Sequence, residues 1–313
     1  MSSVSQCDEQ SIKSARLALV VVTYNSAEVL PGLLDSVSAG CLGVSRFEMI
    51  VVDNHSRDAS VEIALAHPVR AKVIRMGRNA GYAAAINAAA AQAGLDADLL
   101  VLNPDIRLLR GAVLTLCREL HTTGAGAAAP RILTEDGQTA RSLRREPSLV
   151  TIWSDALLGG RLASRMGLGE VIADPRLYAS RGPVQWATGA ALIISAEARR
   201  RAGEWDESFF LYSEEVDYLR RVRQSGLAVH YVPQSQVLHI GGDYETNPYL
   251  SGLMTANRIR DYGRRHGYVA SALFRLGAIV GEMLRIGGGP IRRATLHAAL
   301  TTRPAARGTP SIS

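Results

Sequence analysis

With 313 residues, 47% hydrophobic and 20% charged, the chain has an ordinary globular balance and length for more than one minimal core. Its net charge of +6 is carried almost wholly by arginine, lysine occurring only at Lys13 and Lys72. Sparse aromatics set nucleic-acid binding aside, and the scattered, odd-numbered Cys7, Cys41 and Cys117 exclude a disulfide framework and point to a reducing cytoplasm.

Residues 1–15 are polar, lack the basic-then-apolar order of a signal peptide, and are expected to be disordered. Apolar runs of strand length follow at 17–23 (LALVVVT), 47–52, 72–75, 98–102 (DLLVL) and 126–132. Helical patterns alternate with them at 27–39, 60–66, 81–93 and 111–121. Continuous hydrophobicity marks strands covered on both faces, and the alternation predicts a parallel α/β sheet. Asn25 and Glu28 have capping-box spacing for the first helix, and Asp58 is a candidate cap for the second.

Residues 134–181, rich in Arg and Gly, are expected to form an irregular segment with a loop over the site. Order resumes with a strand over 184–195, a helix over 196–202, a turn at 203–207 and a helix over 212–224. Short strands at 229–232 and 236–239 precede long helices at 249–266 and 269–286. The tail 301–313 is expected to be disordered. No apolar run reaches the ~20 residues that span a bilayer.

Ligands of open α/β sheets bind beyond the carboxyl ends of the strands. Here those ends carry Thr23-Tyr24-Asn25, Asp53-Asn54, Arg78-Asn79 and Asn103-Pro104-Asp105, four polar sites converging on one edge. Asp105 is placed to hold a divalent cation under a diphosphate, and His239, before Gly241-Gly242, is a second candidate ligand. Each has a structural alternative: a turn for Asp105, a satisfied core histidine for His239. Glu214, Glu215 and Asp217 open a helix, where the dipole alone favours acids. Asp217 has Arg221 one turn on as a structural partner, which leaves Glu214 or Glu215 as a general base.

Seven blocks in one order, VVVTYNS, IVVDNHSRD, RNAGYAAAIN, LLVLNPD, WATGAALIIS, GEWDESFFLYSEEVDYLRRVRQSG and VLHIGG, resemble the family 2 glycosyltransferases of GT-A fold, nearest the bacterial rhamnosyltransferase branch. The resemblance runs from residue 17 to about residue 265. It implies a Rossmann-like, mostly parallel α/β sheet flanked by helices, with a helical C-terminal extension. Its implied organisation is a transferase domain over 16–248, with a nucleotide-binding half (16–133) and an acceptor half (182–248), then helices over 249–300.

By position, the resemblance implies that Thr23, Tyr24, Asn25, Asp53, Arg78, Asn79, Asn103 and Asp105 bind the donor. Asp105 and His239 would hold Mg or Mn, Trp186, Gly189 and Glu214 would face the acceptor, and Glu215 would be the base. Asn103 and Glu215 each stand where the family often has Asp. The implied reaction is inverting transfer of L-rhamnose from dTDP-L-rhamnose, or of another sugar from a UDP-sugar, to a glycan or polyprenyl-diphosphate-linked acceptor in cell-envelope polysaccharide synthesis. The implied setting is cytoplasmic.

Arg275, Arg285, Arg292 and Arg293, among apolar residues, suggest contact with the inner face of the membrane; packing on the core or a homodimer surface is the alternative reading of these helices. A nicotinamide oxidoreductase would need Gly-x-Gly-x-x-Gly after the first strand, where Thr23-Tyr24-Asn25-Ser26 stands instead. A non-catalytic sugar-binding relative draws support only from Asn103 and Glu215.

Overall fold

A computed structural model describes residues 15–241, 247–285, 287 and 289–302. Of the two segments expected to be disordered, all but residues 15, 301 and 302 lie outside that range, as does Gly242.

The first apolar run forms β1 (Arg16–Thr23), with seven consecutive buried residues. Strand alternation sends Leu17, Leu19 and Val21 into one layer and Ala18, Val20 and Val22 into the other. The first layer is completed by α1 (Leu30–Gly40), α2 (Ser60–Ala66) and α4 (Ala112–Thr123). The second is completed by α3 (Tyr82–Ala93), α8 (Ala196–Ala202) and α9 (Glu214–Gln224). The many alanines of α3 let it lie close to the sheet. Cys41 and Cys117 are free, and burial pushes both thiols up to about 12.

β1 pairs in parallel with β2 (Glu48–Asp53) and β4 (Ala97–Leu102), and β3 (Lys72–Arg75) lies outside β2. As an edge strand, β3 is only partly buried, unlike the other early strands. Beyond β4 come β10 (Ala191–Ile194), β6 (Ala127–Leu133), β11 (Val229–His239) and β5 (Ile106–Leu108), with β8 (Gly182–Pro183) also on β11. β10 runs against both its neighbours, and β5 and β8 run against β11, so the other six strands share one direction.

Several local expectations are corrected. The strand expected over 184–195 is two: β9 (Trp186–Ala187) pairs with β7 (Leu143–Arg144) in a separate small sheet, while β10 joins the main one. Gly189 and Ala190 turn the chain between them. The strands at 229–232 and 236–239 are one, with a register shift between Val232 and Gln236 opposite Pro130 and Arg131. Pro130 and Pro233 have no amide to donate, so the ladder breaks there. No capping box forms at Asn25: α1 starts at Leu30, and Asn25 accepts the Arg57 amide at 2.8 Å instead. Asp58 accepts the amides of both Ala27 (2.8 Å) and Ser60 (3.1 Å), so the first two helix entries brace each other.

The segment 134–181 is more regular than its sequence suggests. It holds α5 (Leu149–Leu158), α6 (Gly160–Arg165) and α7 (Pro175–Ala179). Ser148 and Thr151 form the capping box of α5. The apolar partner of α5 lies more than 100 residues away, which hid it: Ile152 packs with Ile259, Tyr262, Phe274 and Ala299. The last four belong to α10 (Pro248–Arg265), α11 (Tyr268–Met283) and α12 (Pro290–Thr301). The rings of Tyr262 and Phe274 stack at 4.0 Å between centroids. No helix among the described residues is long and apolar enough to cross a membrane.

Candidate active site

The carboxyl ends of β1, β2 and β4 open onto a cavity of about 1480 Å³. Tyr24, Asn79, Asn103, Trp186, Gly189, Glu214, Glu215 and His239 line it. Thr23 and Asp53 are register partners on adjacent strands and stand behind this wall. The buried Thr23 hydroxyl donates to Asp53 Oδ1 at 3.0 Å, and the Ser56 amide donates to Oδ2 at 3.0 Å. Asn25 is likewise tied into the loops, while Arg78 is exposed.

Asn54, named above as part of a polar strand end, and Tyr82, which the sequence did not single out, join the strand ends to the rest. Asn54 donates to the Gly81 carbonyl at 3.0 Å, linking β2 to the start of α3. The Tyr82 hydroxyl donates to Asn103 Oδ1 at 3.0 Å and reaches the Gly189 carbonyl at 3.5 Å, tying the end of β4 to the turn before β10. Burial, then the charges of Glu214, Glu215 and Asp105, raises the Tyr82 phenol and keeps it protonated as a donor. A lone Tyr in an alanine-rich helix carried no signal of this role.

Asp105 and His239 meet because β5 pairs with β11, setting His239 opposite Ile106, the residue after Asp105. His239 Nε2 lies 3.1 Å from Asp105 Oδ2, in ion-pair range. The two are not aligned as a hydrogen bond: His239 Nε2 and Asp105 Oδ1 are both buried without a hydrogen-bond partner among the described residues. Such orphaned atoms call for an explanation, and a carboxylate and an imidazole facing one point suit a cation. No group of three or more His, Cys, Asp or Glu gathers as a metal site among the described residues. Two protein ligands are enough for a cation whose other partners are phosphate oxygens and water.

Glu214 and Glu215 begin α9 later than the helical pattern suggested, because Tyr212 and Ser213 adopt positive φ. Glu214 is buried and its Oε2 has no hydrogen-bond partner among the described residues; Glu215 is half-buried, with the backbone of Gly189 against its side chain. Burial raises both carboxyls above their ordinary range. The charge of Glu215 raises Glu214 further, while Arg144 partly offsets the effect at Glu215. Asp217 pairs with Arg221 at 2.8 Å, as its spacing implied. Trp186 is buried and donates its indole N–H to the Arg145 carbonyl at 2.9 Å.

A mixed sheet with an open cavity at the carboxyl ends of its parallel strands fits the GT-A fold that the sequence resemblance implied. Residues 18–171 match the family pattern described as glycosyl transferase family 2. Over 235 residues the chain is 31% identical to the N-acetylglucosaminyl-diphospho-decaprenol L-rhamnosyltransferase of Mycobacterium tuberculosis, covering 71% of this chain and 75% of that protein. The structure of GalNAc-T7 with UDP, GalNAc and Mn2+ superposes with a TM-score of 0.60 at 16% identity, covering 93% of this chain and 55% of that one. The S. aureus TarS 1-349 complex with UDP gives a TM-score of 0.52 at 13% identity, covering 91% and 90%. The chain belongs to glycosyl transferase family 2 and is a rhamnosyltransferase-like glycosyltransferase.

Proposed function

We propose that this enzyme transfers L-rhamnose from dTDP-L-rhamnose, with inversion, to a hydroxyl of a glycan or polyprenyl-diphosphate-linked acceptor in the cytoplasmic stages of cell-envelope polysaccharide synthesis. The observation that carries the reading is one cavity with a half-buried carboxylate, Glu215, on one wall and His239, the neighbour of Asp105, on another. The likeness to the decaprenol-linked relative supports the donor and the acceptor class.

Tyr24, Asn79 and Asn103 line the donor end, with Thr23, Asn25 and Asp53 holding the strand ends beneath and Arg78 beside them. Trp186, Gly189 and Glu214 shape the acceptor end. Glu215 accepts the acceptor hydroxyl's proton as that oxygen bonds the anomeric carbon. The bond from that carbon to the diphosphate breaks on the opposite face, and its electron pair leaves with the nucleotide. Asp105 and His239 would hold Mg or Mn, which would supply positive charge beside the diphosphate. Holding donor and acceptor in line contributes alongside the base.

The test is transfer to a polyprenyl-diphosphate-linked N-acetylglucosamine from dTDP-L-rhamnose or from UDP-sugars. Nucleotide release with dTDP-L-rhamnose, and a product of opposite anomeric configuration by NMR, is the expected result. Turnover only with a UDP-sugar moves the donor to the runner-up, a retained configuration excludes the in-line mechanism, and no turnover with any donor favours a non-catalytic relative.

Three of the four arginines that suggested a membrane surface are engaged within the protein. Arg275 donates to the carbonyls of Ala299 and Leu300, Arg285 to those of Gly281, Asp155 and Ala156, and Arg292 to Glu282; Arg293 remains exposed. Solvent instead meets Val269, Leu273, Leu276 and Met283, at helical spacing along α11. We assign this stripe to the lipid surface that carries a polyprenyl-linked acceptor. Flotation with lipid vesicles is expected to persist at about 1 M salt, where the Debye length is ~3 Å. The double change Leu273→Asp with Leu276→Asp is expected to abolish it. Loss of flotation in salt for the unaltered protein restores the electrostatic reading, and a concentration-dependent dimer broken by the same changes assigns the stripe to a second copy.

A further inference from the structure

The segment leading into α9 carries three non-glycine residues with positive φ: Phe210 (64°), Tyr212 (69°) and Ser213 (76°). At Phe210 that φ is joined to a ψ of −58°, and the Leu211 amide donates to the Phe209 carbonyl at 2.8 Å. This is a γ-turn of the rare, strained, positive-φ kind. A run of such residues persists only where the surroundings over-determine it. Glu214 and Glu215 follow immediately.

The surroundings that do so belong to α10. Asn257, fully buried, donates the two hydrogens of Nδ2 to the carbonyls of Phe209 (2.7 Å) and Leu211 (2.8 Å), with the Tyr212 carbonyl sharing them at 3.3 Å. One turn on, Asp261 accepts both terminal nitrogens of Arg220 in α9 at 3.0 Å each. Residues four apart share a helix face. One face of α10 therefore holds the backbone before the glutamate pair and the helix after it. From the opposite side the Tyr82 amide donates to the Phe210 carbonyl at 2.7 Å. Gly81, at φ 92°, leaves room for that carbonyl, since a Cβ there would lie 2.4 Å from it.

We propose that Asn257 is a positioning residue for Glu215, fastening the strained 209–213 segment so that the carboxylate faces the acceptor. The inference rests on Glu215 being the base. It makes the C-terminal helices a working part of the active site. A purely structural tie would lower stability and leave the folded enzyme's turnover unchanged.

The experiment compares Asn257→Ala with Phe274→Leu, a change in the core of the same helices away from the cavity. Donor affinity by titration, thermal midpoint and single-turnover transfer are measured well below the unfolding transition. Asn257→Ala is expected to lose about 10²-fold in transfer with donor affinity within about twofold, while Phe274→Leu loses stability and keeps its rate. Adding Ser213→Gly to Asn257→Ala is expected to return about tenfold, because glycine adopts φ 76° without a Cβ penalty. If Asn257→Ala does not accumulate, Asn257→Ser is read in the same way. A folded Asn257 variant within about threefold of the unaltered rate overturns the proposal, as does an equal loss in Phe274→Leu. Absence of any return with Ser213→Gly overturns the link to backbone strain. Normal transfer by Glu215→Gln removes the base assignment instead, so the two failures are distinguishable.

Discussion

Glu215→Gln is expected to bind donor almost normally and to transfer ~10²-fold or more slowly. The substitution keeps the size of the side chain and removes its proton acceptor, and the residue lines the cavity wall proposed to face the acceptor. Glu214→Gln is expected to be milder. Glu214 is the more deeply buried carboxyl, and both burial and the neighbouring Glu215 charge raise it, so it stays protonated to higher pH and serves poorly as a base. The sign of the pH dependence follows. A base works only when deprotonated, and burial raises Glu215, so transfer falls as pH drops while still above the ordinary glutamate range. Single-turnover rates against pH, with a donor titration for each variant, make the comparison. An inactive Glu214→Gln beside a near-normal Glu215→Gln moves the base by one residue.

Asp105→Ala is expected to cost ~10²-fold or more in transfer, the scale of removing one electrostatic partner of developing charge. It leaves a thermal midpoint near that of the unaltered enzyme, because among the described residues Asp105 Oδ1 has no hydrogen bond to lose and Oδ2 loses only a partly exposed ion pair with His239. Binding of Mn2+, followed directly by its paramagnetic signal with the nucleotide diphosphate present, is expected to weaken in parallel. Full transfer by Asp105→Ala, or by the unaltered enzyme in excess chelator, removes the cation from the mechanism and leaves neutralisation to arginine.

Some of this site was legible in the sequence and some was not, for reasons visible in single residues. Asn103 follows directly on a wholly buried strand and Asp105 comes two residues later, so the buried run itself marks where polar groups must emerge. Glu215 stood out only through the block around it, because acids at a helix start are common. Tyr82 and Asn257 gave no sign. Each is one polar side chain within a helix, and the carbonyls and amide oxygen to which it donates lie 21 to 107 and 45 to 48 residues away respectively. The capping box expected at Asn25 failed for a related reason. A neighbouring loop offered its amide and claimed the side chain first.

The sequence by itself determined the strand–helix alternation, the two-sided burial of β1 and β4, and the polar strand ends, because each follows from local periodicity and composition. It also carried the family through seven ordered blocks. Only the tertiary structure decided that β10 enters the sheet against its neighbours, that Asp105 meets His239, and that α5 is a helix. The same is true of the strained backbone before Glu215, held by α10. All four depend on contacts between distant segments, where long-range packing and hydrogen bonding outweigh weak local preference.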